Sequence, residues 1–167
     1  MFNPISSPKV TPEFSSYIED YIINKKYEKC IKEIETSDDK AMPFQHRIMF
    51  HDVNLQDYLT RIFETILTKY NVNICSSFSY VQYEVGGYIC SHRDKYIDNI
   101  VSYTMMIYLN NDYIGGETYA EINGKRVYVN KSKNNILLFS GSTIKHGCRK
   151  VRSGCKKILL CKLYKKV

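Results

Sequence analysis

The chain has 167 residues and a formal net charge of +7, and 44% of its residues are hydrophobic and 25% charged. This length suits one domain with one hydrophobic core, and the composition is that of a soluble globular protein instead of a disordered chain. The sequence has no run of 18 apolar residues, and its first ten residues lack the apolar core of a signal peptide. We therefore expect an intracellular, cytoplasmic protein that does not enter a membrane.

Residues 1–73 are predicted to be mainly helical. Thr11 is typical of a helix N-cap and Pro12 of the first helical position, so we predict a helix from here to about residues 30–34. A second helix is predicted over residues 55–70, where apolar residues recur at spacings of three and four. These residues are Leu55, Tyr58, Leu59, Ile62, Phe63, Ile66, Leu67 and Tyr70. We interpret this stripe as a packing face.

From about residue 74 the apolar residues alternate with a period of two, which is typical of strands. Strands are predicted over residues 77–83, 89–94, 100–109, 117–122, 125–129, 136–139 and 156–164. Asn123 and Gly124 fit a two-residue hairpin turn because both tolerate positive φ. We therefore predict a single α+β domain, in which residues 1–73 supply helices that buttress a β-sandwich or jelly roll formed by residues 74–167.

The cysteine spacing and the net charge narrow the possible functions only slightly. The six cysteines have irregular spacings and no C-x-x-C pair, so we predict free thiols in a reducing compartment. The positive net charge allows a nucleic-acid partner, but the basic residues are spread along the chain, as they also are on an ordinary solvated surface.

The first candidate site lies in residues 83–96, YEVGGYICSHRDKY. On a strand, His92 and Asp94 point to the same face while Arg93 points away. A His-x-Asp pair alone is a weak signal, because chance produces it easily. A second histidine would complete the triad of two histidines and one carboxylate that leaves positions open on Fe(II). His146 is the candidate, since it follows a predicted strand in a glycine-flanked turn.

Further motifs follow in a fixed order. They are Tyr83, Gly86-Gly87, His92-x-Asp94, Thr104-x-x-x-Tyr108-Leu109-Asn110, Gly115-Gly116-Glu117-Thr118, Phe139, His146 and Val151-x-x-Gly154-x-Lys156. This order resembles the Fe(II)- and 2-oxoglutarate-dependent dioxygenases, specifically their prolyl 4-hydroxylase-like branch. The resemblance covers about half of the chain. It implies a double-stranded β-helix, which is a jelly roll of the cupin type.

The resemblance also implies a reaction and its cofactors. His92, Asp94 and His146 would bind Fe(II), 2-oxoglutarate and O2 would be co-substrates, and ascorbate could serve as a reductant. The products would be succinate, CO2 and a hydroxylated prolyl residue in a protein or peptide. The partner is thus expected to be a protein or peptide substrate.

Four residues are assigned to 2-oxoglutarate. Lys156 shares a strand face with the apolar residues two and four positions later, and a buried lysine needs an anion. The resemblance supplies one, the distal carboxylate of 2-oxoglutarate, although the position alone would also suit a surface lysine. Tyr108 and Tyr83 resemble tyrosines of the co-substrate pocket, but either could be a core residue. Thr104 shares a strand face with Tyr108 and is assigned to the same site.

Two sequence features that bear on substrate recognition differ from the family pattern. Lys162 stands where the family often has a tryptophan, and the segment between Asp94 and His146 is short. Arg93 is our candidate for a substrate contact.

Two alternative functions remain. The AlkB-like nucleic-acid dealkylases share the His-x-Asp motif, but they carry two arginines six residues apart, whereas Arg149 and Arg152 are three apart. A non-catalytic protein that sequesters a host partner is the other alternative. It would suit a virus, and the residue usage, with 15 tyrosines and no tryptophan, is typical of an AT-rich genome. The sequence does not determine the oligomeric state.

Overall fold

The computed structural model describes residues 1–24, 44–94 and 101–166. The helices in these residues are α1 (Pro12–Asn24), α2 (Val53–Ile62) and α3 (Glu64–Tyr70). The strands are β1 (Phe2–Ile5), β2 (Gln45–His51), β3 (Val72–Tyr83), β4 (Ile89–His92), β5 (Val101–Tyr108), β6 (Ile114–Gly115), β7 (Thr118–Ile122), β8 (Lys125–Tyr128), β9 (Ile136–Phe139), β10 (His146–Cys148), β11 (Val151–Ser153) and β12 (Lys156–Lys165). Within these ranges, no helix has the length and apolar character needed to cross a membrane.

Antiparallel pairing joins the strands into two main sheets. The larger sheet has the order β1-β9-β5-β12-β3-β2, and the smaller has the order β4-β10-β7-β8. Strands β6 and β11 form a separate short pair. This arrangement is a jelly roll of the cupin type with helices beside it, which confirms the predicted fold class.

The helices cover one face of the larger sheet. Along β5, Met105 and Ile107 pack in the same apolar cluster as Leu59 of α2, whereas Met106 and Tyr108 belong to a second cluster on the opposite face. The division follows from the alternation of side chains along a strand. One face of the sheet therefore forms the main core, and the other is available for a site.

The predicted start of the first helix is confirmed. Helix α1 begins at Pro12, and the Thr11 hydroxyl accepts a hydrogen bond from the Phe14 amide at 3.2 Å. The predicted continuation to residues 30–34 lies outside the described residues.

The second predicted helix is two helices. The backbone leaves the helical conformation at Phe63, where φ is −108° and ψ is 17°. Helix α2 begins before the predicted start because Asp52 caps it, accepting from the Leu55 amide at 2.9 Å. The apolar stripe is nevertheless a packing face as predicted: Leu55, Leu59, Phe63 and Leu67 are all buried in the main core.

All seven predicted strands are present, with ends that differ by a few residues, and residue 100 lies outside the described ranges. The hairpin turn between β7 and β8 is also confirmed, since Asn123 and Gly124 both have positive φ. Strands β1, β2, β6, β10 and β11 were not predicted. Cys75, Cys90, Cys148, Cys155 and Cys161 are free thiols as predicted, and Cys30 lies outside the described residues.

Candidate metal and co-substrate site

The two candidate histidines meet across a strand pair. His92 ends β4 and His146 begins β10, and the two are direct antiparallel partners. Their ring centroids lie 4.4 Å apart, and both side chains are largely buried. The pairing of β4 with β10 thus brings together residues that are 54 positions apart in the sequence.

Backbone carbonyls orient both imidazole rings. His92 Nδ1 donates to the carbonyl of Cys90, and His146 Nδ1 donates to the carbonyl of Ile144, each at 2.9 Å. Because a carbonyl oxygen can only accept, each Nδ1 carries a hydrogen. When such a ring is neutral, its Nε2 atom has a lone pair that can bind a metal, whereas a ring that also carries a proton on Nε2 can donate to a carboxylate. A carbonyl bond of this kind fixes the tautomer of metal-binding histidines.

Asp94 lies opposite both Nε2 atoms. Its Oδ1 is 3.5 Å from His92 Nε2 and 3.5 Å from His146 Nε2. Burial opposes ionisation of Asp94, but the two histidines and the ammonium of Lys162 outweigh it and hold the pKa of this carboxyl well below its usual range. Asp94 is accordingly a carboxylate.

These three side chains fit a divalent metal ion. Each offers one ligand atom, and all three atoms lie within 4.8 Å of one another. Two imidazole nitrogens and one carboxylate oxygen on one side of an ion make a facial triad, a donor set that suits Fe(II) and leaves positions for other ligands.

Gly147 allows this strand pairing. A Cβ atom at Gly147 would lie 2.5 Å from the Tyr119 hydroxyl and 2.8 Å from the Ile89 carbonyl oxygen. Gly147→Ala should therefore destabilise the protein by about 1–3 kcal/mol, displace the adjacent His146 and lower the affinity for Fe(II). Denaturant unfolding and Fe(II) titration measure the two effects.

Gly124→Ala is the matched control for that prediction. A Cβ atom at Gly124 has no neighbour within 4 Å, and only the φ of +73° is strained. We expect a cost of about 1–2 kcal/mol without loss of Fe(II) affinity. Unchanged Fe(II) affinity in Gly147→Ala would contradict the role assigned to Gly147.

A lysine lies buried in the same cavity as the triad. The cavity has a volume of about 250 Å³ and is lined by His92, Asp94, His146 and Lys156, among others. Lys156 has 0% exposure, and Nζ donates to the Gly116 carbonyl at 2.9 Å, to Thr118 Oγ1 at 2.9 Å and to Cys148 Sγ at 3.3 Å. None of its contacts with described residues is to a carboxylate. A buried ammonium with neutral partners only is costly, so this end of the cavity suits an anion.

The two tyrosines predicted near 2-oxoglutarate lie beside Lys156. Its Nζ is 5.4 Å from the ring centroid of Tyr83 and 5.5 Å from that of Tyr108. Tyr83 lines the cavity, whereas the Tyr108 hydroxyl donates to Thr118 Oγ1 at 2.7 Å. Burial raises the pKa of both phenols, so both stay protonated as donors. Sequence reasoning missed Thr118 as a polar residue of this cavity, although the threonine was part of the recognised motif.

The other predicted residues lie towards the metal end and the opening of the cavity. The Thr104 hydroxyl is 3.4 Å from Asp94 Oδ2, so Thr104 contacts the carboxylate of the triad rather than Lys156. Arg93 is exposed at the cavity, and its Nε donates to the Thr143 carbonyl at 3.1 Å. Lys162 Nζ lies 3.2 Å from Asp94 Oδ2 and 3.1 Å from Thr104 Oγ1.

Sequence reasoning missed Arg47. This residue lies on β2, lines the cavity and forms a hydrogen bond with Tyr83. The sequence carried only a weak indication that Arg47 belongs to the site, because strand β2 was not predicted.

A sequence family and several solved structures match this chain. The family described as the poxvirus C4/C10 protein matches residues 15–166. The chain belongs to the poxvirus C4/C10 protein family. No curated protein matches the sequence significantly.

The solved structures share the fold of this poxvirus C4/C10 family member. A prolyl 4-hydroxylase of Pseudomonas putida has a TM-score of 0.66 at 9% identity, with 99% of this chain and 92% of that chain covered. The viral collagen prolyl hydroxylase of Paramecium bursaria Chlorella virus-1, in its 2-oxoglutarate complex, has a TM-score of 0.65 at 16% identity, with 99% of this chain and 96% of that chain covered. A prolyl hydroxylase of Trichoplax adhaerens, in complex with a hypoxia-inducible-factor peptide fragment, has a TM-score of 0.70 at 13% identity, with 98% of this chain and 83% of that chain covered. The fold is therefore that of the prolyl 4-hydroxylase-like 2-oxoglutarate oxygenases, as the motif order implied.

Proposed function

We propose that the chain is an Fe(II)- and 2-oxoglutarate-dependent dioxygenase that hydroxylates a prolyl residue of a protein or peptide. One observation carries the proposal: a triad with metal-ligand geometry and a buried lysine with no carboxylate partner among the described residues line the same small cavity. An anionic co-substrate that also binds the metal satisfies both features.

In this proposal, His92 Nε2, Asp94 Oδ1 and His146 Nε2 hold the iron. The Nδ1–H bonds of both histidines to backbone carbonyls fix the rings before the metal binds. Metal binding therefore costs little conformational entropy for these two side chains. When bound there, Fe(II) with 2-oxoglutarate and O2 would supply the oxidation of a C–H bond to C–OH, with one oxygen atom going to the product, the other to succinate, and CO2 released.

Lys156 is proposed to bind the distal carboxylate of 2-oxoglutarate. Its ammonium is held in place by Gly116 and Thr118, and the third N–H, which points to Cys148 Sγ at 3.3 Å, is the donor that would turn to an anion. Tyr83 lines the same end of the cavity, and Tyr108 supports the site through its hydrogen bond to Thr118. Thr104 is proposed to orient Asp94, which it contacts at 3.4 Å.

The prolyl substrate is supported by the similar solved structures. Prolyl hydroxylases from a bacterium, a virus and an animal share this fold over nearly the whole chain, and one of them holds a peptide fragment. The partner we propose is accordingly a protein or peptide segment that contains proline.

Anaerobic titration with Fe(II) and 2-oxoglutarate tests the proposed chemistry. A bidentate complex of the two should give a weak visible charge-transfer band, and aerobic incubation with proline-containing peptides should then release succinate. If the band is absent from the wild-type protein, the oxygenase assignment is wrong. If the band forms but methylated oligonucleotides, rather than peptides, stimulate succinate release, the prolyl assignment is wrong.

A further inference from the structure

The cavity carries a surplus of positive charge. In the described part of the chain, four cationic side chains line it, namely Arg47, Arg93, Lys156 and Lys162, against one carboxylate, Asp94. The charges of Fe(II) and of 2-oxoglutarate cancel, so the surplus of three persists in the loaded site. An interior with several like charges and apolar walls attracts an anion strongly.

Two of these cations are already engaged. Lys156 lies at the closed end of the cavity and is assigned to 2-oxoglutarate, and Lys162 Nζ lies 3.2 Å from Asp94 Oδ2. Arg47 and Arg93 remain. Arg47 comes from the larger sheet, and Arg93 directly follows β4 of the smaller sheet, so the two approach the cavity from different sheets.

Arg47 is held in place by neutral groups. It forms a hydrogen bond with Tyr83, and Gln45, with its carboxamide oxygen turned to the guanidinium, accepts from Nη2 at 3.1 Å and from Nε at 3.3 Å. Arg47 is half-buried, and this burial lowers the pKa of its guanidinium. A partly buried cation whose hydrogen-bond partners are neutral is stabilised when an anion binds.

Arg93 is exposed, and its Nε donates to the carbonyl of Thr143, also a neutral group. Next to Arg47 on β2, Met49 is 50% exposed and also lines the cavity. The cavity therefore opens beside two guanidinium groups and an exposed apolar side chain, a combination that can receive a peptide with both apolar and acidic residues.

We propose that the substrate segment carries an aspartate or glutamate next to the residue that is oxidised, and that Arg47 and Arg93 bind its carboxylate. This inference rests on the proposed function and names the substrate class of the same site. It makes the two arginines specificity-determining residues at the opening of the cavity.

A nucleic acid fits the described residues less well. A flipped base needs an exposed aromatic face, but the two aromatic residues other than histidine that line the cavity, Phe139 and Tyr83, are 1% and 3% exposed. On the smaller sheet and beside it, Arg126 and Arg149 are paired with Glu121 and Glu117. Pairing with glutamates thus compensates these two arginines, and the arginines that line the cavity itself are Arg47 and Arg93.

Two matched peptide libraries test the proposal. Each peptide has a central proline, and the flanking positions carry either aspartate and glutamate or the amides asparagine and glutamine. Succinate formation by the wild-type protein should respond about tenfold more to the acidic library, the ratio expected for one partly desolvated ion pair. Raising the salt concentration should reduce this ratio.

Variants of Arg47 and Arg93 test whether these side chains cause the preference for acidic peptides. Arg47→Gln and Arg93→Gln should each reduce the acidic-to-amide ratio, whereas Arg47→Lys should retain part of it because the charge remains. Lys125→Gln is the control, since it removes the same charge from an exposed position on β8. Arg93 is exposed, so its variant should fold even if the Arg47 variants do not.

Four results would overturn the proposal: an equal response to the two libraries, a response to neither, an acidic preference that survives both Gln variants, or greater stimulation by methylated oligonucleotides. If Arg47→Gln raises the KM for 2-oxoglutarate and leaves the peptide ratio unchanged, Arg47 belongs to the co-substrate site instead. The charge-transfer band without peptide separates these failures from a failure of the proposed oxygenase chemistry.

Discussion

Replacing His146 with alanine is expected to abolish tight Fe(II) binding and, with it, the charge-transfer band and succinate formation. Loss of a residue that only orients a metal ligand typically costs 10–100-fold in affinity, so loss of a ligand should cost more than about 100-fold. Anaerobic Fe(II) titration in the presence of 2-oxoglutarate measures this change.

His46→Ala is the matched control for His146→Ala. His46 is exposed on β2 and contacts Glu84 at 3.0 Å, outside the candidate site. An exposed pair of this kind contributes little to stability, so this variant should bind Fe(II) like the wild-type protein. A band of equal strength in His146→Ala and His46→Ala would show that the triad is assigned incorrectly.

Replacing Lys156 with methionine is expected to abolish 2-oxoglutarate binding. The substitution conserves length and removes the cation that we assign to the distal carboxylate. In the wild-type protein with Fe(II) or a redox-inert divalent substitute, 2-oxoglutarate at 100 times its Kd should stabilise the fold by about 2.7 kcal/mol. That gain should disappear in the variant, and thermal unfolding with and without 2-oxoglutarate measures it.

The neighbouring lysine provides the control for this second experiment. Lys157 points to the other face of β12, where its Nζ lies 2.7 Å from Glu19 Oε2. Lys157→Met should lose this ion pair and keep the stabilisation by 2-oxoglutarate. If Lys156→Met retains the stabilisation as well, the co-substrate does not bind where we propose.

Local patterns were sufficient for most elements of the fold. The period of two on β12 placed Lys156 on the face opposite the main core, and the stripe on residues 55–70 correctly identified a packing face. The break at Phe63 was missed because the apolar spacing continues through it, and spacing does not register a change of backbone dihedrals.

Strands β1 and β2 were missed for a different reason. Strand β1 contains a proline, which is unfavourable within most strands. Strand β2 carries polar residues on both faces, since Arg47 turns towards the cavity and His46 towards solvent. Strand prediction looks for one apolar face, so a strand that contributes a charge to a site does not give that signal.

By itself, the sequence predicted the candidate metal ligands, the strand face on which Lys156 lies and the jelly-roll class, because each depends on motif order or on alternation along one strand. Only the tertiary structure decided which polar groups meet. The pairing of β4 with β10 sets the distances within the triad, Lys162 and Thr104 contact Asp94, and Arg47 reaches the cavity from a distant strand. Those contacts depend on the register between strands far apart in the chain, which local periodicity does not encode.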